Sequence, residues 1–270
     1  MSNLMHAKSY EELRFTDDFM FGKVMENKEL CREVLECLLQ RPVGELEDPL
    51  PQREYRYTTD GKPIRLDIYT RDKDAVYDAE MQNLGKKTVE SLELPRRTRY
   101  YQASLDMDHM KKTWNYKALP ESEILFICTF DPFGRGLSQY TFPGLCEEDA
   151  GIRINDGATR VFYNCSYKGD DVPEDIRELY CYIETGTCSN DLTERIEGAV
   201  AAARMNEEWR SAYMKEITVL MDAREEGREE GREEGRREER KRTEAERKRA
   251  DDAEAVIARY REKYGELPVL

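Results

Sequence analysis

The chain predicts an α/β fold: a mixed sheet flanked by helices, followed by a long charged helical tail. Three observations carry the prediction. Ile64–Thr70, Val76–Gln82 and Glu123–Phe130 are strand-length runs rich in β-branched and aromatic residues. Around them lie stretches with apolar residues at helical spacing, in the order helix, three strands, helix, strand. After about Asn190 the aromatics, prolines and apolar runs give way to helical and then almost purely charged sequence.

Thr16 or Asp17 is placed to cap a helix running to about Gln40, with Phe19, Val24, Leu35, Leu38 and Leu39 as its apolar stripe and Arg41-Pro42 ending it. A Pro-bounded strand follows at about Gln52–Thr58, then the pair Ile64–Thr70 and Val76–Gln82 joined by the polar hairpin Arg71–Asp74. Pro95 suits a first helical position, and that helix extends to about Lys112. Glu123–Phe130, apolar throughout, reads as a central strand buried on both faces. Ala158–Cys165 is a further strand, and Pro173–Thr185 a helix capped by the acidic turn before it.

Asp67, Glu80 and Gln82 interrupt the two hairpin strands. Alternation sets Ile64, Leu66 and Ile68 on one face and Arg65, Asp67 and Tyr69 on the other; Val76, Asp78, Glu80 and Gln82 likewise share a face. The three polar residues therefore meet on one polar side of a sheet whose other side is greasy. A lone buried carboxylate is costly, whereas two convergent ones suit a hard divalent cation that takes a few oxygen ligands plus water and phosphate. The spacing Asp-x12-Glu-x-Gln points to phosphodiester chemistry; a pair of solvent-facing acids near a hairpin is the alternative.

The remaining inventory excludes other chemistries. The two histidines, His6 near the start and His109 in a charged helix, supply neither a His-Cys zinc site nor a Ser-His-Asp triad. Seven cysteines without a C-x2-C pair, and no signal peptide, read as a reduced cytoplasmic protein. No run approaches a membrane span. A net charge of −14 argues against generic nucleic-acid coating. Locally, however, Lys86, Lys87, Arg96, Arg97, Arg99, Lys111, Lys112 and Lys117 are interleaved with Tyr100, Tyr101, Trp114 and Tyr116. Such a stretch grips phosphates and stacks on bases, or is an ordinary solvated helix face.

The chain resembles the recombination-promoting nuclease and transposase-like family of the PD-(D/E)XK nuclease superfamily. The resemblance runs from about Arg14 to Met221. It is carried by Thr16–Phe21 with Val24-Met25, Arg65-Leu66-Asp67, Glu80-Met81-Gln82, and Arg97, Arg99, Tyr100 and Tyr101. Asp131–Gly134, Tyr140–Phe142, Asp156-Gly157, and Phe162 with Asn164 continue it. It implies a restriction-endonuclease-like core over residues 14–190, after a tail at 1–13, and metal-dependent hydrolysis of DNA linked to recombination or a mobile element. Asp67 and Glu80, helped by the Met81 carbonyl, would bind Mg²⁺ or Mn²⁺, and Asp18 would complete the shell or act as a helix cap. Gln82 stands where the superfamily usually has lysine; it orients a water or phosphate oxygen but brings no positive charge. Arg97 and Tyr101 would hold the DNA backbone, unless Tyr101 belongs to the core. A catalytically silent DNA-binding protein and a helix-driven assembly protein are the rival expectations.

A helical extension covers residues 191–223 and the charged arm 224–270. Arg-Glu-Glu-Gly repeats at Arg224–Gly227, Arg228–Gly231 and Arg232–Gly235, so its glycines form a slowly drifting stripe on a helix. Each interior glycine costs up to ~1 kcal/mol against alanine. The helix is marginal alone and is expected to be solvated or to join copies into a homo-oligomer, with the segment from Asp252 as an amphipathic dimer contact.

Overall fold

Strand β3 (Ala75–Gln82) is buried along its whole length, and the sheet grows outward from it. The computed structural model describes residues 8–55, 64–83, 93–110, 115–149 and 151–265. Its sheet has six strands in the order β1-β2-β3-β4-β6-β5. The others are β1 (Leu50–Tyr55), β2 (Ile64–Arg71), β4 (Glu121–Cys128), β5 (Gln139–Phe142) and β6 (Ala158–Asn164). β1 pairs antiparallel with β2 and β2 with β3; β3, β4 and β6 are mutually parallel, and β5 returns antiparallel to β6.

The β2–β3 hairpin is held by Asp72, whose Oδ1 accepts from the Asp74 and Ala75 N–H groups (both 2.8 Å) while Oδ2 accepts from Tyr77 Oη and the Gly44 N–H. The turn thereby pins Ile68 opposite Ala79 and Tyr69 opposite Asp78. A one-residue slip would carry every polar side chain to the other face.

Both faces of the sheet are covered, so the polar side carrying Asp67 and Glu80 also packs apolar residues. Helix α3 (Glu93–Met110) lies on that side. Its Leu94, Tyr101 and Leu105 join Tyr69, Val76, Ile124, Phe126 and Phe162 in one apolar cluster. Phe126 stacks on Phe162 at 5.0 Å, and Tyr101 stacks on Phe126 at 6.4 Å. The opposite side is covered by α1 (Asp18–Met25), α2 (Lys28–Leu39), α4 (Glu174–Thr185) and α5 (Asp191–Arg204). There Tyr77, Glu123 and Tyr163 share a face with the end of α2, and Arg41 pairs with Glu123.

Several element boundaries differ from expectation for local reasons. The first long helix is two, because Asn27 accepts from the Leu30 N–H and restarts the chain as α2. Asp17 takes the N-cap position of α1, but its carboxylate is engaged by Lys8 and the Arg14 N–H instead of a helix N–H. Helix α3 is already running at Glu93, so Pro95 is not its first residue; proline is tolerated anywhere in a first turn. The acidic turn does not cap α4, whose cap position is Pro173 without a side-chain bond. Gly186 (φ +79°) ends that helix in the left-handed region, its N–H donating to Tyr182 O at 2.7 Å. Strand β5 is an element that the sequence pattern does not announce. The expected strand end at Arg56–Thr58 and His6 lie outside the described residues.

All seven cysteines are unpaired, four of them buried. Among the described residues no helix is long and apolar enough to cross a membrane. The chain forms two units, Met1–Ser211 and Ala212–Leu270; a single helix, α6 (Glu207–Tyr264), makes up most of the second.

Candidate active site

The β2–β3 ladder runs in register from Arg71 and Val76 up to Ile68 and Ala79, and the next opposed pair is Asp67 and Glu80. There the side chains take over the work of the backbone. The Asp67 N–H donates to Glu80 Oε1 at 2.9 Å, and the Met81 N–H donates to Asp67 Oδ2 at 3.0 Å. Each carboxylate thus stands in for a ladder carbonyl at the point where the strands part. Both sit on rigid strands, tied by one oxygen to backbone.

Above them α3 supplies a cation. Arg97 donates to Glu80 Oε2 and to Gln82 Oε1, each at 3.4 Å, and to Tyr101 Oη at 2.8 Å. Its guanidinium also lies 5.4 Å from the Tyr101 ring. Tyr101 is buried, and Arg97 faces inward, so both belong to the packing of the site. The exposed residues of this helix include Arg96, Arg99 and Tyr100, with Glu93, Ala103 and Met107. Lys86, Lys87, Lys111, Lys112 and Trp114 of the basic and aromatic stretch lie outside the described residues. Gln82 is buried, and its backbone carbonyl accepts from the Thr129 N–H at 3.1 Å.

A third acid, Asp78, completes the cluster. It is fully buried two residues from Glu80 on the same face, and neither of its oxygens meets an N–H or O–H donor. Its hydrogen-bonding neighbour is Glu80, which serves it when one of the two acids keeps a proton. Alternation had placed Asp78 beside Glu80; that it lies deep under α3 was the missing signal.

The electrostatics follow from this crowding. Burial first, then the charges of Asp67 and Asp78, push Glu80 well above the usual carboxylate range, against the pull of the Asp67 N–H and Arg97. Burial and the charge of Asp67 do the same to Asp78. Asp67 keeps a partial opening to solvent, yet burial and the nearby charge of Asp18 raise it to about 7, opposed by the Met81 N–H, Arg97 and Arg65.

Asp18 is the first residue of α1 and is exposed. Asn83, just past β3, donates through Nδ2 to the Thr16 carbonyl and clips the start of α1 to the end of β3. The clip explains how a residue 49 positions before Asp67 comes to influence it.

The donor set fits a hard divalent cation. It is all oxygen, and Arg97 meets its buried negative charge at long hydrogen-bond distance. Met81 directs its N–H toward Asp67, and in an extended strand a residue's carbonyl leaves on the same side. Among the described residues no three His, Cys, Asp or Glu side chains gather to hold a metal ion. An ion held by Asp67, Glu80 and the Met81 carbonyl would therefore fill its shell with water or phosphate oxygens. His109 lies near the far end of α3 and plays no part. A separate cleft of about 250 Å³, lined by Glu121, Glu123, Arg153 and Asp156, opens at the opposite end of the parallel strands.

The chain matches no family model, no curated protein and no solved structure.

Proposed function

We propose that the chain is a metal-dependent phosphodiester hydrolase acting on DNA, of the PD-(D/E)XK kind that its motifs resemble. The observation that carries this reading is the reciprocal tie between Asp67 and Glu80 at the parting of β2 and β3. A carboxylate pair held by backbone N–H groups is preorganised, so no reorganisation is needed when charge develops. A bound Mg²⁺ or Mn²⁺ would lower the pKa of its water and neutralise charge on the scissile phosphate.

The protein's own residues would divide the remaining work. Asp67 and Glu80 hold the ion, with the Met81 carbonyl as a third oxygen. Asp78 and Glu80 keep a proton between them until that charge is compensated. Gln82 orients a water or phosphate oxygen by its amide. Arg97 neutralises Glu80 in the ion-free site and would offer its charge to an incoming phosphate. The exposed Arg96, Arg99 and Tyr100 on α3 present two charges and a ring to the strand beyond the scissile bond.

Purified protein incubated with supercoiled plasmid and Mg²⁺ or Mn²⁺ tests this. Nicking or linearisation that EDTA, Asp67→Asn and Glu80→Gln each abolish is the expected result. Folded protein that binds plasmid without cutting it would make this a DNA-binding module instead.

A further inference from the structure

Helix α6 exposes large apolar side chains near both of its ends. Met214, Leu220 and Met221 near its start and Val256 and Ile257 near its end are between 44 and 65% exposed. At roughly 100° per residue, Ile217 and Ala253 stand about ten turns apart and point the same way. Met214, Leu220 and Met221 fall around the first, Val256 and Ile257 around the second. Gly227, Gly231 and Gly235 drift across the same face, within a stripe roughly 140° wide. A Cβ added at any of these glycines would meet nothing within 4 Å. One stripe, apolar at both ends and mixing glycines with charged residues such as Arg224, Arg228, Arg242 and Glu246 in the middle, runs along a helix that shows large apolar side chains to water.

The charges between the two apolar ends are not evenly spread. Residues 224–235 hold three arginines and six glutamates, net −3; residues 236–249 hold eight basic and four acidic residues, net +4. The sign changes between Gly235 and Arg236. The midpoint between the apolar patches, 214–221 and 253–258, falls one residue further on, between Arg236 and Arg237. Two independent features of the sequence therefore agree on the centre to within one residue.

We propose that α6 pairs with α6 of a second copy of this chain, antiparallel and centred on Gly235. In that register the acidic half of each helix lies along the basic half of the other. Met214 comes opposite Val256, Ile217 opposite Ala253, Arg232 opposite Glu238 and Arg224 opposite Glu246, with Arg228 opposite Arg242 the like-charged exception on this face. Gly235 at the centre adds no side chain of its own, so the charged residues flanking it can meet across the pair. A parallel pair would set acidic against acidic, basic against basic, and Arg224, Arg228 and Arg232 each against its own copy. Like charges in register are repulsive, so charge selects the antiparallel arrangement.

Single cysteines test the orientation, because every native cysteine lies at or before Cys188. Gly235→Cys and Arg228→Cys are oxidised separately in the full-length protein, and the disulfide-linked peptides are identified by mass spectrometry. The antiparallel pair links position 235 to itself but not position 228, whose two copies lie ~22 Å apart along the axis. Linkage at both positions means a parallel pair and overturns the proposal, as does linkage at neither. Light scattering on the eluting protein supplies a second measurement. The parent should run as a dimer, and Ile257→Asp should raise its dissociation constant roughly tenfold or more. A monomeric parent would overturn the proposal, whatever the outcome at the carboxylate site.

Discussion

Replacing Asp67 by asparagine should make the ion-free protein more stable at pH 8 while removing its response to divalent cations. The sign follows from proton linkage. In the folded chain Asp67 holds its proton to about pH 7; unfolded, it releases it near its ordinary value of 3.8. Between those values the folded state binds the extra proton, so stability falls as pH rises, and the loss is complete above about 7. From pH 5 to pH 8 about two units of that window are crossed, worth ~3 kcal/mol at 1.36 kcal/mol per unit, and less to the extent that solvent reaches Asp67. For a unit of this size that is roughly 6–12 °C in melting temperature. The assay is thermal unfolding of parent and Asp67→Asn at pH 5 and pH 8, with EDTA and then with Mg²⁺. The parent should lose several degrees more than the variant between the two pH values, and Mg²⁺ at pH 8 should restore stability to the parent alone. Parallel pH profiles, or an equal Mg²⁺ response from both proteins, would refute the reasoning that Asp67 is a desolvated acid in an ion site.

Arg97→Ala removes the cation that counters Glu80, so the acid limb of any cleavage profile should move to higher pH, while Arg97→Lys should move it less. Asp78→Asn removes an acid with no donor at either oxygen; the ion-free variant should lose less stability than the parent between pH 5 and pH 8 in the same melts. Phe126→Ala deletes a fully buried ring stacked between Tyr101 and Phe162 and should cost ~3–5 kcal/mol in chemical denaturation.

Much of the sheet was legible because strand and hairpin signals are local. The β-branched runs, the Asp72 turn and two-residue alternation were enough to put Asp67 opposite Glu80. The short β5 was missed because four residues with only Tyr140 buried carry too little pattern. The break at Asn27 was missed because the apolar stripe continues across it, and only the cap marks the interruption. Alternation alone gave the shared polar side but not its depth: α3 covers the face bearing the acids, with Asp67 left partly open.

The sequence by itself determined which residues share a strand face, where the charged arm begins and how its charges divide at Gly235, since each depends on spacing along one element. Tertiary structure alone decided that Asp78 is sealed beside Glu80, that Arg97 and Tyr101 turn inward, and that Asp18 lies within electrostatic reach of Asp67. Those placements depend on where α3 lies and on the Asn83–Thr16 clip, contacts between elements far apart in the chain. Desolvation, the largest cause of the raised carboxyl values, exists only once those elements have closed over the strands.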